Sequence, residues 1–262
     1  MKKVQSVSAV AHRGFSSVAP ENTLAAFRKA IELCADMVEC DVRRSGDGRL
    51  VVIHDPTVDR TTNGRGAVAD MSLAELRELD AGSWFSAEFA GERIPTLEEV
   101  LDLPRGRSKL IVEVKEEGLE DEVVSAAEAR GMDDEVLVAS FHYRIGVRMP
   151  ELDTRFPFIP LACLPRNADE DESVRVADEA ASVNGWMFGV NHTAITPALV
   201  RATHAANLRL MAWTVNNEED IRSVVEMGVD AIASNDLALL LRVLAEIGAR
   251  ENHRAEKPQF GT

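Results

Sequence analysis

Short runs rich in Val, Ile, Ala and Phe alternate along the chain with stretches in which apolar residues recur every three or four positions. The first pattern reads as a strand, and the second as one buried face of a helix. Strand patterns fall at 8–12, 37–42, 50–54, 110–114, 136–141, 156–161, 186–190, 210–215 and 231–234. Helical patterns lie between them, at 120–130, 171–181, 197–206, 218–227 and 237–247, with an earlier one carried by Leu24, Phe27, Ile31 and Leu33. Such alternation predicts a parallel sheet with helices packed against it. Helix ends are marked as well: Asn22 is the predicted N-cap of the first helix, Thr96 with Glu99 predicts a capping box, and Gly131 and Gly228 stand where C-terminal caps belong.

Nine strand runs are one more than an eight-stranded barrel needs. The link at 43–49, Arg-Arg-Ser-Gly-Asp-Gly-Arg, resolves the excess, because a parallel crossover needs about a dozen residues or more. A Gly-rich link of this length is a hairpin turn. Run 50–54 is therefore predicted to fold back antiparallel on 37–42, leaving eight parallel strands for a closed α/β barrel of the (β/α)₈ type. The stretch 56–95 is too long for a plain barrel loop and contains one short helical pattern, at 73–79, and the aromatic residues Trp84, Phe85 and Phe89. It is predicted to be a small insertion capping the barrel, with the aromatics as its mini-core. The expected organisation is one domain over 1–250, insertion included, followed by a polar tail at 251–262.

Charge narrows the range of functions. Lys and Arg number 29 against 44 Asp and Glu, a formal net charge of −15, which repels phosphate backbones and anionic lipid headgroups. Nucleic-acid binding and stable membrane association are not expected, and a phosphate-bearing ligand would need a local cation site. Cys34, Cys40 and Cys163 have no metal-cluster spacing and cannot form a complete disulfide framework. The first residues are too short and polar a run for a secretory h-region, so a cytoplasmic protein is expected.

Candidate chemistry clusters where barrel active sites lie, at the carboxyl ends of the strands. His12-Arg13-Gly14 ends the first strand, Glu39-Cys40-Asp41 lies near the end of the second, and Glu113-Val114-Lys115 ends the run after the insertion. Side chains two apart on a strand share a face, so Glu39 and Asp41 point one way and Cys40 the other, while Glu113 and Lys115 can enter the same volume. Acids facing a barrel interior repel unless a cation lies between them. Three carboxylates suit a hard divalent ion, Mg²⁺ or Ca²⁺, better than thiolate zinc. Strand-end acids exposed to solvent, and a Glu113–Lys115 salt bridge at the barrel mouth, are the plainer alternatives. The hairpin carries His54-Asp55 back beside Glu39 and Asp41, so His12 and His54 would flank the cation as an acid/base pair suited to phosphodiester cleavage.

The ordered set of short motifs then resembles the glycerophosphodiester phosphodiesterase family. It comprises His12-Arg13-Gly14, Pro20-Glu21-Asn22-Thr23, Glu39-x-Asp41-Val42, Asp47-Gly48, His54-Asp55, Arg60-Thr61-Thr62-Asn63-Gly64, Pro95-Thr96-Leu97, Glu113-Val114-Lys115, Ser140-Phe141, Trp213-Thr214-Val215-Asn216 and Gly228-Val229-Asp230. The resemblance spans nearly the whole chain and implies a TIM barrel of the phospholipase-C-like phosphodiesterase type with a small insertion. It implies metal-dependent hydrolysis of glycerophosphodiesters to an alcohol and sn-glycerol 3-phosphate. Glu39, Asp41 and Glu113 would be metal ligands, His12 and His54 the acid/base pair, Arg13 and Lys115 the phosphate contacts, and Trp213 a neighbour of the glycerol. The chain departs from the pattern at Ser45, His142 and Ser234-Asn235, where Thr, Asp and Thr-Asp are usual. Two other functions stand beside this one: a lysophospholipase D or phospholipase-like lipid phosphodiesterase on the same barrel, and a metal- and ligand-binding barrel without turnover.

Overall fold

The computed structural model describes residues 6–153, 155–166 and 169–249, so the polar tail expected at 251–262 lies outside the described residues. In chain order the elements are β1 (Ser8–Ala11), α1 (Leu24–Glu32), β2 (Met37–Arg44), β3 (Leu50–Val52), α2 (Leu73–Arg77), α3 (Leu97–Leu101), β4 (Lys109–Val114), α4 (Glu120–Glu128), β5 (Val136–Ser140), α5 (Tyr143–Leu152), β6 (Phe158–Ala162), α6 (Glu170–Ser182), β7 (Met187–Asn191), α7 (Pro197–Ala205), β8 (Arg209–Trp213), α8 (Glu218–Met227), β9 (Ala231–Ser234) and α9 (Leu237–Glu246).

Eight strands run parallel in the order β1-β9-β8-β7-β6-β5-β4-β2, and pairing of β1 with β2 closes the barrel. β3 lies antiparallel on β2, with Val42 opposite Val52 and Arg44 opposite Leu50, as the short link demanded. Strand alternation divides the apolar residues into two layers. Val38, Cys40, Val42 and Val112 pack outward against the helices, while Met37, Ile111, Leu137, Ile159, Met187 and Met211 fill the barrel. That parity sends Glu39, Asp41 and Glu113 inward, above the apolar plug.

Four local expectations are corrected. The N-cap of α1 is Thr23, whose hydroxyl accepts from the Ala26 N–H; Asn22 adopts a left-handed conformation, φ 56°, and its side chain is engaged elsewhere. Helix α5 falls where the sequence predicts no helix, since Gly146 and Pro150 are poor helix formers within it. Gly146 is needed there, since a Cβ would fall 2.3 Å from the Phe158 ring. Gly228 does cap α8 in the left-handed region, but α4 ends at Ala129 and Gly131 only turns the chain two residues later, at φ 62°.

The fourth correction concerns the insertion, whose own core is aliphatic: Val58, Val68, Leu76, Ala81 and Ile94 pack beneath Val51 and Ile53 of the hairpin arm. The aromatics do something else. Phe85 and Phe89 pack against Ala19 and Ala26 of the barrel, sealing the insertion onto the β1–α1 loop, and Trp84 stays 41% exposed. The chain leaves and re-enters side by side, with the Val52 N–H donating to the Pro95 carbonyl at 2.8 Å. Among the described residues no helix is long and apolar enough to cross a membrane.

Candidate active site

Neighbouring register on β2 and β4 places Asp41 beside Glu113. One oxygen from each of Glu39, Asp41 and Glu113 lies within 4.8 Å of the others, and all three residues are buried. Lys115 Nζ stands 2.7 Å from Asp41 Oδ1 and also contacts Glu113 Oε1. Arg13 approaches from β1: its Nε lies 3.3 Å from Asp41 Oδ2, its Nη1 donates to Glu21 Oε1 at 2.8 Å, and its backbone N–H donates to Glu39 Oε2 at 2.9 Å. Asn22 completes the surroundings of Asp41, donating from Nδ2 to Oδ2 at 2.6 Å and accepting from the Asp41 N–H at 3.2 Å.

These neighbours divide the carboxylates electrically. Burial would raise Asp41, but Lys115 and Arg13 outweigh it and hold its carboxyl well below the usual range. Burial pushes Glu39 well above that range, and Asp41 and Glu113 push the same way. Glu113 is raised by burial and by Asp41. Glu39 Oε1 is buried and accepts no hydrogen bond, which is costly for a carboxylate oxygen unless a cation meets it. An all-oxygen set of this compactness fits a hard divalent cation, and Cys40 faces the outer layer, away from it.

The two histidines stand on either side. His12 Nε2 is 4.0 Å from Glu39 Oε2, and its Nδ1 is 2.7 Å from Asn235 Oδ1. An amide oxygen only accepts, so the proton sits on His12 Nδ1 and the lone pair is left on Nε2. Burial, then Arg13, pushes the His12 pKa down to about 4. His54 is tied through Nδ1 to Asp55 Oδ1 at 2.7 Å, and the Arg43 Nε donates to its backbone carbonyl at 2.9 Å. Burial lowers His54 too, against the opposing pull of Asp41.

A cavity of about 140 Å³ opens over this cluster, with His12, Arg13, Glu39, His54, Glu113 and Lys115 on one wall and Phe141, Leu161, Met211 and Trp213 on the other. That volume holds roughly a benzene-sized group. Asp41 is fully enclosed beneath it. The Trp213 ring meets Phe141 edge-on at 5.7 Å. All eight side chains singled out from the sequence thus converge here. His142, His192 and His204 do not line the cavity; His192 lies 3.4 Å from Asp220, and His204 2.9 Å from Asp230. Trp186 packs at the barrel plug beneath the Arg209 guanidinium. Sequence reasoning missed Asn22 and Asn235 as partners of Asp41 and His12. The first was visible only as part of a motif, and the second only as a departure from one.

Similarity to known proteins agrees with this geometry. The model of the Glycerophosphoryl diester phosphodiesterase family matches residues 12–239. A glycerophosphodiester phosphodiesterase of Caldanaerobacter subterraneus subsp. tengcongensis is 38% identical over 247 residues, covering 91% of this chain and 98% of the relative. One from Bacillus subtilis is 31% identical over 244 residues, covering 86% and 82%. Among solved structures, an Oleispira antarctica phosphodiesterase in complex with the product sn-glycerol-3-phosphate superposes with a TM-score of 0.79 at 30% identity, over 91% of this chain and 96% of that one. With its motifs in order from the first strand to the last and its barrel shared, this chain belongs to the glycerophosphoryl diester phosphodiesterase family.

Proposed function

We propose that the protein hydrolyses glycerophosphodiesters to an alcohol and sn-glycerol 3-phosphate, with a divalent cation, Mg²⁺ or Ca²⁺, held by Glu39, Asp41 and Glu113. The observation that carries this reading is the convergence of three buried carboxylates, two histidines and two basic side chains on one cavity. When bound, the cation neutralises phosphate oxygens and favours ionisation of the attacking hydroxyl. Everything else falls to the chain's own residues.

Arg13 and Lys115 bring positive charge to the phosphate and favour the more negative transition state. Both stand against the same carboxylate, Arg13 Nε 3.3 Å and Lys115 Nζ 2.7 Å from Asp41, so their charge lies at the place where the phosphate would be received. His12 is the base. Its Nε2 lone pair faces the cluster, and a pKa of about 4 keeps it unprotonated at neutral pH. His54 is the acid that protonates the leaving alkoxide once it is charged; burial lowers it, and the Asp55 carboxylate on Nδ1 pulls the other way, toward the charged form. Trp213, with Phe141, offers an apolar wall to the carbon face of the glycerol. Water and the glycerol 2-hydroxyl are both nucleophiles that this arrangement serves.

The test is release of glycerol 3-phosphate from glycerophosphocholine by the purified protein, with Mg²⁺ or Ca²⁺ and with chelator, comparing wild type with Glu39→Ala. Cation-dependent release that Glu39→Ala abolishes supports the reading. No release from any glycerophosphodiester overturns it, and the same assay on lysophospholipids then examines the lipid alternative.

A further inference from the structure

The motif at 60–64 and the acid Glu21 have no part in the reaction as derived above, yet they meet beside it. Arg60 reaches back from the insertion to the barrel mouth. Its Nε and Nη2 donate to Asp55 at 2.7 and 3.1 Å, and its Nη1 and Nη2 donate to Glu21, both at 2.8 Å. Four donor contacts are made by a group with five N–H donors. Each carboxylate lies along one full edge of the guanidinium, an arrangement that fixes orientation as well as distance.

Both carboxylates pass that order inward. Asp55 Oδ1 holds His54 Nδ1 at 2.7 Å, and Glu21 Oε1 accepts from Arg13 Nη1 at 2.8 Å. A continuous line, Arg13–Glu21–Arg60–Asp55–His54, therefore crosses the mouth and ties the loop after β1 to the segment after β3. Fold stability is a poor explanation for it. The Arg60 side chain is 44% exposed at the rim of the site. The insertion has its own aliphatic core and an aromatic seal to the barrel, neither of which involves Arg60.

We propose that Arg60 is a positioning residue, which locks His54 and Arg13 in one relative geometry through its two carboxylate partners. The proposal rests on the reading that His54 transfers a proton and Arg13 meets the phosphate. Lysine does not replace Arg60, since a point charge cannot hold two carboxylates edge-on.

The experiment compares Arg60→Gln and Arg60→Lys with wild type and with Arg65→Gln, an exposed arginine on the same insertion. Three quantities are read: kcat and KM for glycerol 3-phosphate release from glycerophosphocholine, the ¹⁵N signals of the His54 ring without substrate, and the thermal midpoint. Both Arg60 variants are expected to lose about tenfold or more in kcat with KM moved less than about threefold. The ¹⁵N signals of their His54 ring are expected to shift as Asp55 loses its fixed geometry at Nδ1, while Arg65→Gln matches wild type. Retention of kcat within about twofold, or a fall in kcat with unchanged His54 signals, overturns the proposal. If Arg60→Gln does not fold, Arg60→Lys carries the same readings; loss of the fold in both makes Arg60 a structural residue and also overturns it. Wild type that releases no product refutes the functional reading instead, and the ring signals still decide whether Arg60 orders His54.

Discussion

At Glu39, burial and two acidic neighbours oppose ionisation, and this makes cation binding compete with protons. A raised pKa means that the carboxyl holds its proton to higher pH than an ordinary glutamate, whereas a divalent ion binds only the carboxylate. Affinity for Mg²⁺ or Ca²⁺ is therefore expected to weaken as pH falls, beginning above the ordinary glutamate range of about 4.3, with protons released on binding. Calorimetry in buffers of different ionisation enthalpy measures both, and pH-independent affinity would contradict the assignment. For the histidines, replacing His12 or His54 by Ala is expected to lower kcat by about 10²–10⁴. A base must be unprotonated, so with the cation held saturating at every pH the wild-type kcat/KM is expected to fall on the acid side as pH approaches the His12 value of about 4, and this limb should disappear in His12→Ala. A pH–rate profile on both proteins checks it. Asn22 shows how a residue can be placed correctly yet given the wrong role: a helix-capping residue type just before α1, it is instead 19 positions away from the Asp41 carboxylate that it holds.

Among the elements, the insertion has the most local construction. Asp80 organises its turn, accepting from the Ser83 hydroxyl and from the N–H groups of Ser83, Gly82 and Gly91 at 2.6–2.9 Å. Those bonds hold its carboxyl below the ordinary range. A group depressed in the folded state stabilises the fold above its unfolded pKa of about 3.9, and loses that contribution as pH falls toward the folded value. Hydrogen exchange at Gly82, Ser83 and Gly91 is therefore expected to lose protection, relative to the barrel strands, below about pH 4. Asp80→Asn should show the weaker protection already at neutral pH. Equal protection of these amides at all pH values in both proteins would exclude this role. The hairpin arm was legible because a seven-residue link permits nothing but a turn. The aromatic seal was not, because Phe85 and Phe89 find Ala19 and Ala26 only across space.

Over the whole molecule, a net charge of −15 surrounds a cavity that must admit an anion. Charges within about one Debye length of the mouth, roughly 8 Å at physiological salt, repel substrates with net negative charge. KM for glycerophosphoglycerol or glycerophosphoinositol is thus expected to fall as ionic strength rises from about 0.02 to 0.2 M, and KM for zwitterionic glycerophosphocholine to change less. Steady-state kinetics over a salt series measures this; KM rising with salt for the anionic substrates would mean that Arg13 and Lys115 dominate the approach. The barrel, its antiparallel arm and the inward acids were readable from the sequence by itself, because strand alternation converts position along the chain into a face, and link length converts it into a direction. Glu39, Asp41, Glu113 and Lys115 could be assigned to one volume on those grounds alone. Tertiary structure alone decided which groups orient the reacting ones. Asn235 meets His12 from 223 residues away and Arg60 meets Glu21 from 39 away, and no local periodicity records such distances, since they arise only when barrel closure and docking of the insertion bring separate strand ends to one rim.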